Sequence, residues 1–261
     1  MLGRIGFIGS GKMAEAMIKA LSGDAEIISS DKDKDRLNHI QREYGTAITT
    51  NNSDVVEKSK VIVLAVKPQH IDFVLEEIKD VVTDQLIVSI AAGVTLEHLE
   101  GYLKGKRVIR VMPNTPCLVG EMAAGFAAGK NATEEDIKTV GDMLKSAGNA
   151  FPLEEKDLDV VTGLSGSGPA FLAYVADAMI EGGVSQGLNK DVATELTLQT
   201  MVGTGKLLQT GISPKELISM VSSPGGTTIA GRGVLEKSDL KDVIIRTIKA
   251  ATERSRELGK S

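Results

Sequence analysis

The chain has 261 residues and is 42% apolar, enough to bury a substantial core and to fill one large domain or two of ordinary size. Thirty Lys and Arg against 35 Asp and Glu leave a net charge of −5, which excludes a basic field for nucleic acid phosphates. The single cysteine, Cys117, excludes an internal disulfide framework, and no Cys/His cluster has zinc spacing, so no metal is expected.

Residues 4–9, RIGFIG, form a short β-rich run, followed by Ser10-Gly11 and then KMAEAMIKAL, in which Met13, Ala16, Met17, Ala20 and Leu21 recur at helical spacing. That is strand, glycine turn, helix. Gly6, Gly9 and Gly11 make G-x-x-G-x-G, a variant of the dinucleotide fingerprint in which missing side chains let a pyrophosphate approach a helix N-terminus. A purely structural glycine turn is the alternative.

Strands follow at EIIS (26–29), VIVLAV (61–66), LIVSI (86–90) and RVIRVM (107–112), with helices or loops between them. Near-continuous apolar strands alternating with helices define an α/β domain built on a Rossmann-type doubly wound parallel sheet. Ligands of such sheets bind beyond the strands' carboxyl ends, which here carry Ser29-Ser30-Asp31, Ala65-Val66-Lys67-Pro68, Ala91-Ala92-Gly93 and Met112 to Pro116. At the second strand end Ser29, Ser30, Lys32, Lys34 and Arg36 favour NADPH, while Asp31 and Asp33 suit a free ribose and leave NADH open. The same DKDKDR run also reads as a solvated turn and helix start.

After residue 153 the composition changes and long helical patterns replace strands, so the domains are expected at 1–153 and 154–261, the second all-α. Small residues (Gly163, Ser165, Gly166, Ser167, Gly168) precede the first long helix, with Pro169 where a first turn tolerates it; they serve tight packing or a ligand. Further on, SSPGGTTI (222–229) reads as a helix start capped by Ser222 or Ser223. Long amphipathic helices of this kind bury their apolar stripes against a second copy, which predicts a homodimer. No apolar run reaches the ~20 residues of a membrane span, and the opening MLGRIGFIG lacks a secretory signal pattern, so a soluble cytoplasmic protein is expected.

The segments GFIGSGKMAEAM, AVKPQ, AAGV, MPNTP, VTGLSGSGPAF and SSPGGTTI together resemble the pyrroline-5-carboxylate reductase family, in that family's order and over residues 6–236. The resemblance implies NAD(P)H-dependent reduction of a cyclic imine carboxylate to L-proline, the last step of proline biosynthesis, by an oligomer built from dimers. It implies a cofactor cradle on Gly6, Phe7, Ile8, Gly9, Ser10, Gly11, Lys12 and Met13, with Ser30 and Asn52 toward the adenosine. Ala65, Val66, Lys67, Pro68, Ala91, Ala92 and Gly93 would follow the cofactor toward its nicotinamide. The substrate pocket is implied at Ser223, Gly225, Gly226, Thr227 and Thr228, with Thr162 and Glu155.

Chemically, the imine needs donors for its carboxylate, which amides at Gly225 to Thr227 can supply, and a hydrogen bond to the ring nitrogen, assigned to Thr228. Lys67 is the second catalytic candidate, placing positive charge by cofactor or substrate, with a structural ion pair as the alternative. His39, His70 and His98 read as surface residues and Cys117 as packing. The β-hydroxyacid dehydrogenases share the GFIG-x-G-x-M opening, but their motif laid from Gly163 places Leu172 where their catalytic lysine stands. A non-catalytic NADP-sensing protein is the remaining rival.

Overall fold

The computed structural model describes residues 3–259. Strand and helix alternate from the start: β1 (Arg4–Ile8), α1 (Lys12–Leu21), β2 (Glu26–Ser30), α2 (Lys34–Tyr44), β3 (Ala47–Thr49) and α3 (Asn52–Lys58). Next come β4 (Val61–Leu64), α4 (Ile71–Ile78), β5 (Leu86–Ser89), α5 (Leu96–Tyr102) and β6 (Arg107–Met112). The sheet ends with β7 (Met122–Ala128), α6 (Glu134–Lys145) and β8 (Gly148–Pro152), and the short α7 (Leu158–Val161) follows. Long helices close the chain: α8 (Gly168–Ser185), α9 (Lys190–Gln209), α10 (Pro214–Met220), α11 (Thr227–Lys237) and α12 (Leu240–Leu258).

Eight strands form one sheet in the order β3-β2-β1-β4-β5-β6-β7-β8. Pairing is parallel throughout except between β6 and β7, so the doubly wound sheet carries a reversed pair at one edge. Side-chain alternation assigns each strand to both cores: Ile5 and Phe7 of β1 face one, Ile8 the other, and Val61 and Val63 of β4 are opposed to Ile62 and Leu64. Helices α1 and α6 cover the first face and α3, α4 and α5 the second, each through its apolar stripe.

Packing divides the chain into two units: the described residues up to Ser167 together with those from Ala250 on, and Gly168–Lys249. The composition change at 153 precedes this division, because the segment after it stays with the sheet. Leu158 is buried in the second core, and a Cβ at Gly125 of β7 would lie 3.1 Å from it. In the helical unit α8 and α9 form a hairpin whose turn is closed by the Leu188 N–H donating to Gly183 O at 3.2 Å. Their apolar side chains are not confined to one stripe: Leu172 is 59%, Tyr174 80% and Val234 of α11 70% exposed. Helices apolar on several sides are built to be covered. Among the described residues no helix is long and apolar enough to cross a membrane.

Candidate active site

Strands β2 and β3 lie on one side of β1 and β4 on the other, so the winding reverses between β1 and β4. A crevice at such a reversal is the ligand position of the fold. Here a cleft of about 660 Å³ opens between the ends of the two strands. Its floor is Ile8, Gly9 and Gly11, one wall is Ala65, Val66 and Lys67, and Ser30, Lys32 and Asn52 stand at the far end.

The glycines of the loop have different work. Gly6 is buried in β1, where a Cβ would lie 2.4 Å from Val55 Cγ1, so its missing side chain seats α3 rather than a ligand. Gly9 has φ +100° and turns the chain where a Cβ would meet Ala65 O at 2.7 Å. Gly11 is the N-cap of α1, with no side chain capping the helix and open space where its Cβ would be. The amides of the first turn therefore face the cleft end unscreened, an arrangement suited to a pyrophosphate. Lys12 and Met13 contribute those amides. Phe7 is fully buried behind the floor.

Ser10 is an anchor. Its N–H donates to Asp31 Oδ2 at 2.6 Å, its carbonyl accepts from Arg36 Nε and Nη2 at 3.0 and 2.7 Å, and its hydroxyl is 2.8 Å from that of Ser29. Ser10 is fully buried, and Arg36 and Asp31, expected to discriminate cofactors, hold the loop, Asp31 while also lining the cleft. Arg36 also reaches Glu15 at 2.8 Å, with His39 at 2.7 Å on the other carboxylate oxygen. Burial alone would raise the Glu15 carboxyl, but hydrogen bonds from Arg36 and His39, with Lys12 beyond, outweigh it and hold the carboxyl at about 2. A carboxyl depressed on folding stabilises above its unfolded value and loses that contribution as pH falls through the folded one. Glu15→Gln should thus cost roughly 2 kcal/mol at neutral pH. The melting difference from wild type should close as pH falls from about 4.5 to about 2, as thermal unfolding across that range would register.

Of the other expected cofactor residues, Ser30 and Asn52 meet in the cleft, the Ser30 hydroxyl donating to Asn52 Oδ1 at 2.7 Å. Lys67 lines the wall, and among the described residues no carboxylate pairs with it, so the ion-pair alternative is not realised. Pro68 starts a short 3-10 turn beyond it. Ala91, Ala92 and Gly93 follow β5 outside the cleft lining, and a Cβ at Gly93 would pack 3.4 Å from Leu258 Cβ of α12. The loop reading missed the wall from α4, where Phe73 and Glu77 line the cleft with Thr50 and Asn51 opposite. Phe73 and Glu77 belong to no glycine or strand-end motif, so sequence spacing carries no signal for them, whereas Thr50 and Asn51 directly follow β3.

Two expected substrate residues have structural partners. Glu155 Oε1 accepts from the Leu96 N–H at 2.6 Å, at the start of α5, and from buried Arg110 at 2.9 Å. Thr162 opens a π turn and donates to Leu158 O at 2.8 Å. A Cβ at Gly166 in that turn would meet Met112 Cε at 2.8 Å, so tight packing explains Gly166, while a Cβ at Gly168 would meet open space. Cys117 is buried, its thiol pushed up to about 11 by burial, which makes it inert.

In the helical unit, SSPGGTTI folds as a turn feeding α11. The Gly226 N–H donates to Ser223 O at 2.9 Å across Pro224 and Gly225, and Gly225 has φ +72°. Proline then glycine at positive φ is the signature of a type II turn. The N-cap is Gly226 and no side chain caps the helix. The serines therefore do not cap it as expected: Ser222 donates to Ile218 O at 2.6 Å, closing α10. A Cβ at Gly226 would strike Ser223 Oγ at 2.5 Å. The result is a second open helix N-terminus, with Thr227 and Thr228 exposed in its first turn.

A switch-point cleft floored by glycines, backed by an uncapped helix and walled by a lysine with no carboxylate partner among the described residues, defines a dinucleotide-binding protein. The comparisons narrow the class. Residues 155–258 match the family model described as pyrroline-5-carboxylate reductase dimerisation, and residues 4–93 that of NADP oxidoreductase, coenzyme F420-dependent. A pyrroline-5-carboxylate reductase of Methanosarcina acetivorans is 43% identical over 98% of both chains, and one of Pisum sativum 40% identical over 98% of this chain and 96% of that one. The Coxiella burnetii pyrroline-5-carboxylate reductase superposes with a TM-score of 0.94 at 34% identity, covering 98% of each chain. The Plasmodium falciparum pyrroline carboxylate reductase, solved with NADP bound, gives 0.87 at 30% identity over 98% of each. The chain belongs to the pyrroline-5-carboxylate reductase family.

Proposed function

We infer that this chain reduces 1-pyrroline-5-carboxylate to L-proline with NADPH, and with NADH as an alternative donor. The observation that carries the reading is full-length similarity to reductases of this name, joined to a cleft whose glycine floor and open helix end fit a dinucleotide. When bound, the nicotinamide supplies a hydride to the C=N carbon, while the ring nitrogen gains a proton. The first-turn amides of α1 hold the pyrophosphate, and Ser30 and Asn52 meet the ribose. Lys67 brings positive charge to the wall along which the anionic cofactor is held.

The substrate carboxylate is assigned to the open amides at Gly226 and Thr227, where the helix dipole favours an anion without an arginine. Thr228 is assigned to the ring nitrogen, orienting the imine for hydride transfer. Protomers pair through the helices of 168–249, which covers their exposed apolar side chains. The region matched by the dimerisation model includes them. A single buried cysteine suits a reducing, cytoplasmic compartment, which belongs to the same reading.

The test is the loss of NADPH absorbance when purified protein meets pyrroline-5-carboxylate, with NADH run in parallel. Turnover dependent on both substrates is expected. No turnover, or oxidation of 3-hydroxy acids in its place, would overturn the reading.

A further inference from the structure

Four charged groups surround the adenosine end of the cleft, and two are already committed. Both oxygens of Asp31 accept backbone N–H groups, from Ser10 at 2.6 Å and Asp33 at 2.9 Å. Arg36 is turned onto Ser10 O and Glu15. The charged side chains in the lining at that end are Asp31, Lys32 and Glu77, and of the two carboxylates only Asp31 is held by backbone N–H groups. Lys32 Nζ sits 4.1 Å from the centroid of the Phe73 ring. Phe73 and Glu77 are one turn apart on the same face of α4, so the cation and the carboxylate flank the same opening.

Glu77 also reaches the residue that meets the ribose. Its Oε2 accepts from Asn52 Nδ2 at 2.6 Å, while Asn52 Oδ1 accepts from the Ser30 hydroxyl. The Asn52 amide is thereby fixed with its N–H groups toward Glu77 and its oxygen toward Ser30. Among the described residues no cation pairs with Glu77.

We propose that Glu77 sets the balance between the two nicotinamide cofactors: its uncompensated carboxylate opposes the 2′-phosphate of NADP(H), against the attraction of Lys32. The proposal rests on the cleft being a dinucleotide site. A like charge within a few ångströms of a phosphate, in a water-filled cleft, changes affinity by about fivefold and is screened by salt. Glu77→Gln keeps an acceptor for Asn52 and removes only the charge.

Calorimetric titration of wild type and E77Q with adenosine 2′,5′-bisphosphate, 5′-AMP, NADP+ and NAD+ tests it, at low and high salt. In E77Q the two 2′-phosphorylated ligands should bind about fivefold more tightly, the other two within twofold of wild type, and the gain should shrink with salt. An equal change for all four ligands, or none, overturns the role of Glu77 while leaving the cofactor reading standing. Failure of wild type to bind any of the four overturns the cofactor reading and this role together.

Discussion

Gly9→Ala is expected to weaken dinucleotide binding at least about a hundredfold and to destabilise the protein by roughly 3 kcal/mol. The residue stands at φ +100°, where an L side chain is strained, and its added Cβ would lie 2.7 Å from Ala65 O and 2.8 Å from Ala65 C. Both atoms belong to one backbone carbonyl, which has no flexible end to yield. Relief requires β1 and β4 to part at their ends, loosening the 2.8 Å bonds from Gly9 N to Ser30 O and from Ala65 N to Ile8 O. Those bonds hold the floor and wall of the cleft. Gly11→Ala is the contrast: its φ is ordinary and its Cβ meets open space. It should cost far less stability than Gly9→Ala, about the few tenths of a kcal/mol of a poorer N-cap, and act mainly on the ligand. NADP+ titration with thermal unfolding separates the two, and wild-type binding by Gly9→Ala would remove this account of the floor.

Thr228→Ala should lower kcat by up to about a hundredfold, the cost of one preorganised donor at a reacting atom. Thr228→Ser should retain most activity. Stability is the control, since no cap depends on this hydroxyl: the N-cap is Gly226 and the helix has no side-chain cap. The effect should fall on kcat more than on KM, because the donors proposed for the carboxylate are backbone groups that the substitution leaves in place. Steady-state kinetics with unchanged kcat would remove Thr228 from the chemistry and leave it as a helix residue.

What could be read from sequence was local. The β1 strand, its glycine turn and α1 are contiguous, and the periodicities of apolar residues switch from two to helical within that stretch. By contrast β7, MAAGFAA, has no β-branched residue, and Gly125 in it leaves room that a Cβ would close, at 2.9 Å from Leu153 Cδ1 and 3.0 Å from Val161 Cγ2. The three residues of β3 are too few to show a period. In the site, Ser30 and Asn52 were legible through resemblance, whereas Phe73 and Glu77 reach the cleft only because α4 packs across the end of β4. The partners of Glu155 were hidden from the sequence for the same reason. Leu96 N and Arg110 are far away in sequence, so no spacing shows that they donate to its carboxylate.

The helical unit also changes what stability means for this protein. With Leu172, Tyr174 and Val234 more than half exposed on one chain, folding of that unit is linked to association, and mass action enters its free energy. Each tenfold dilution of a dimer weakens it by about 1.4 kcal/mol per association event. The melting temperature then belongs to a concentration as well as to a sequence, and in a cell the abundance of the chain becomes one of the terms that keeps it folded.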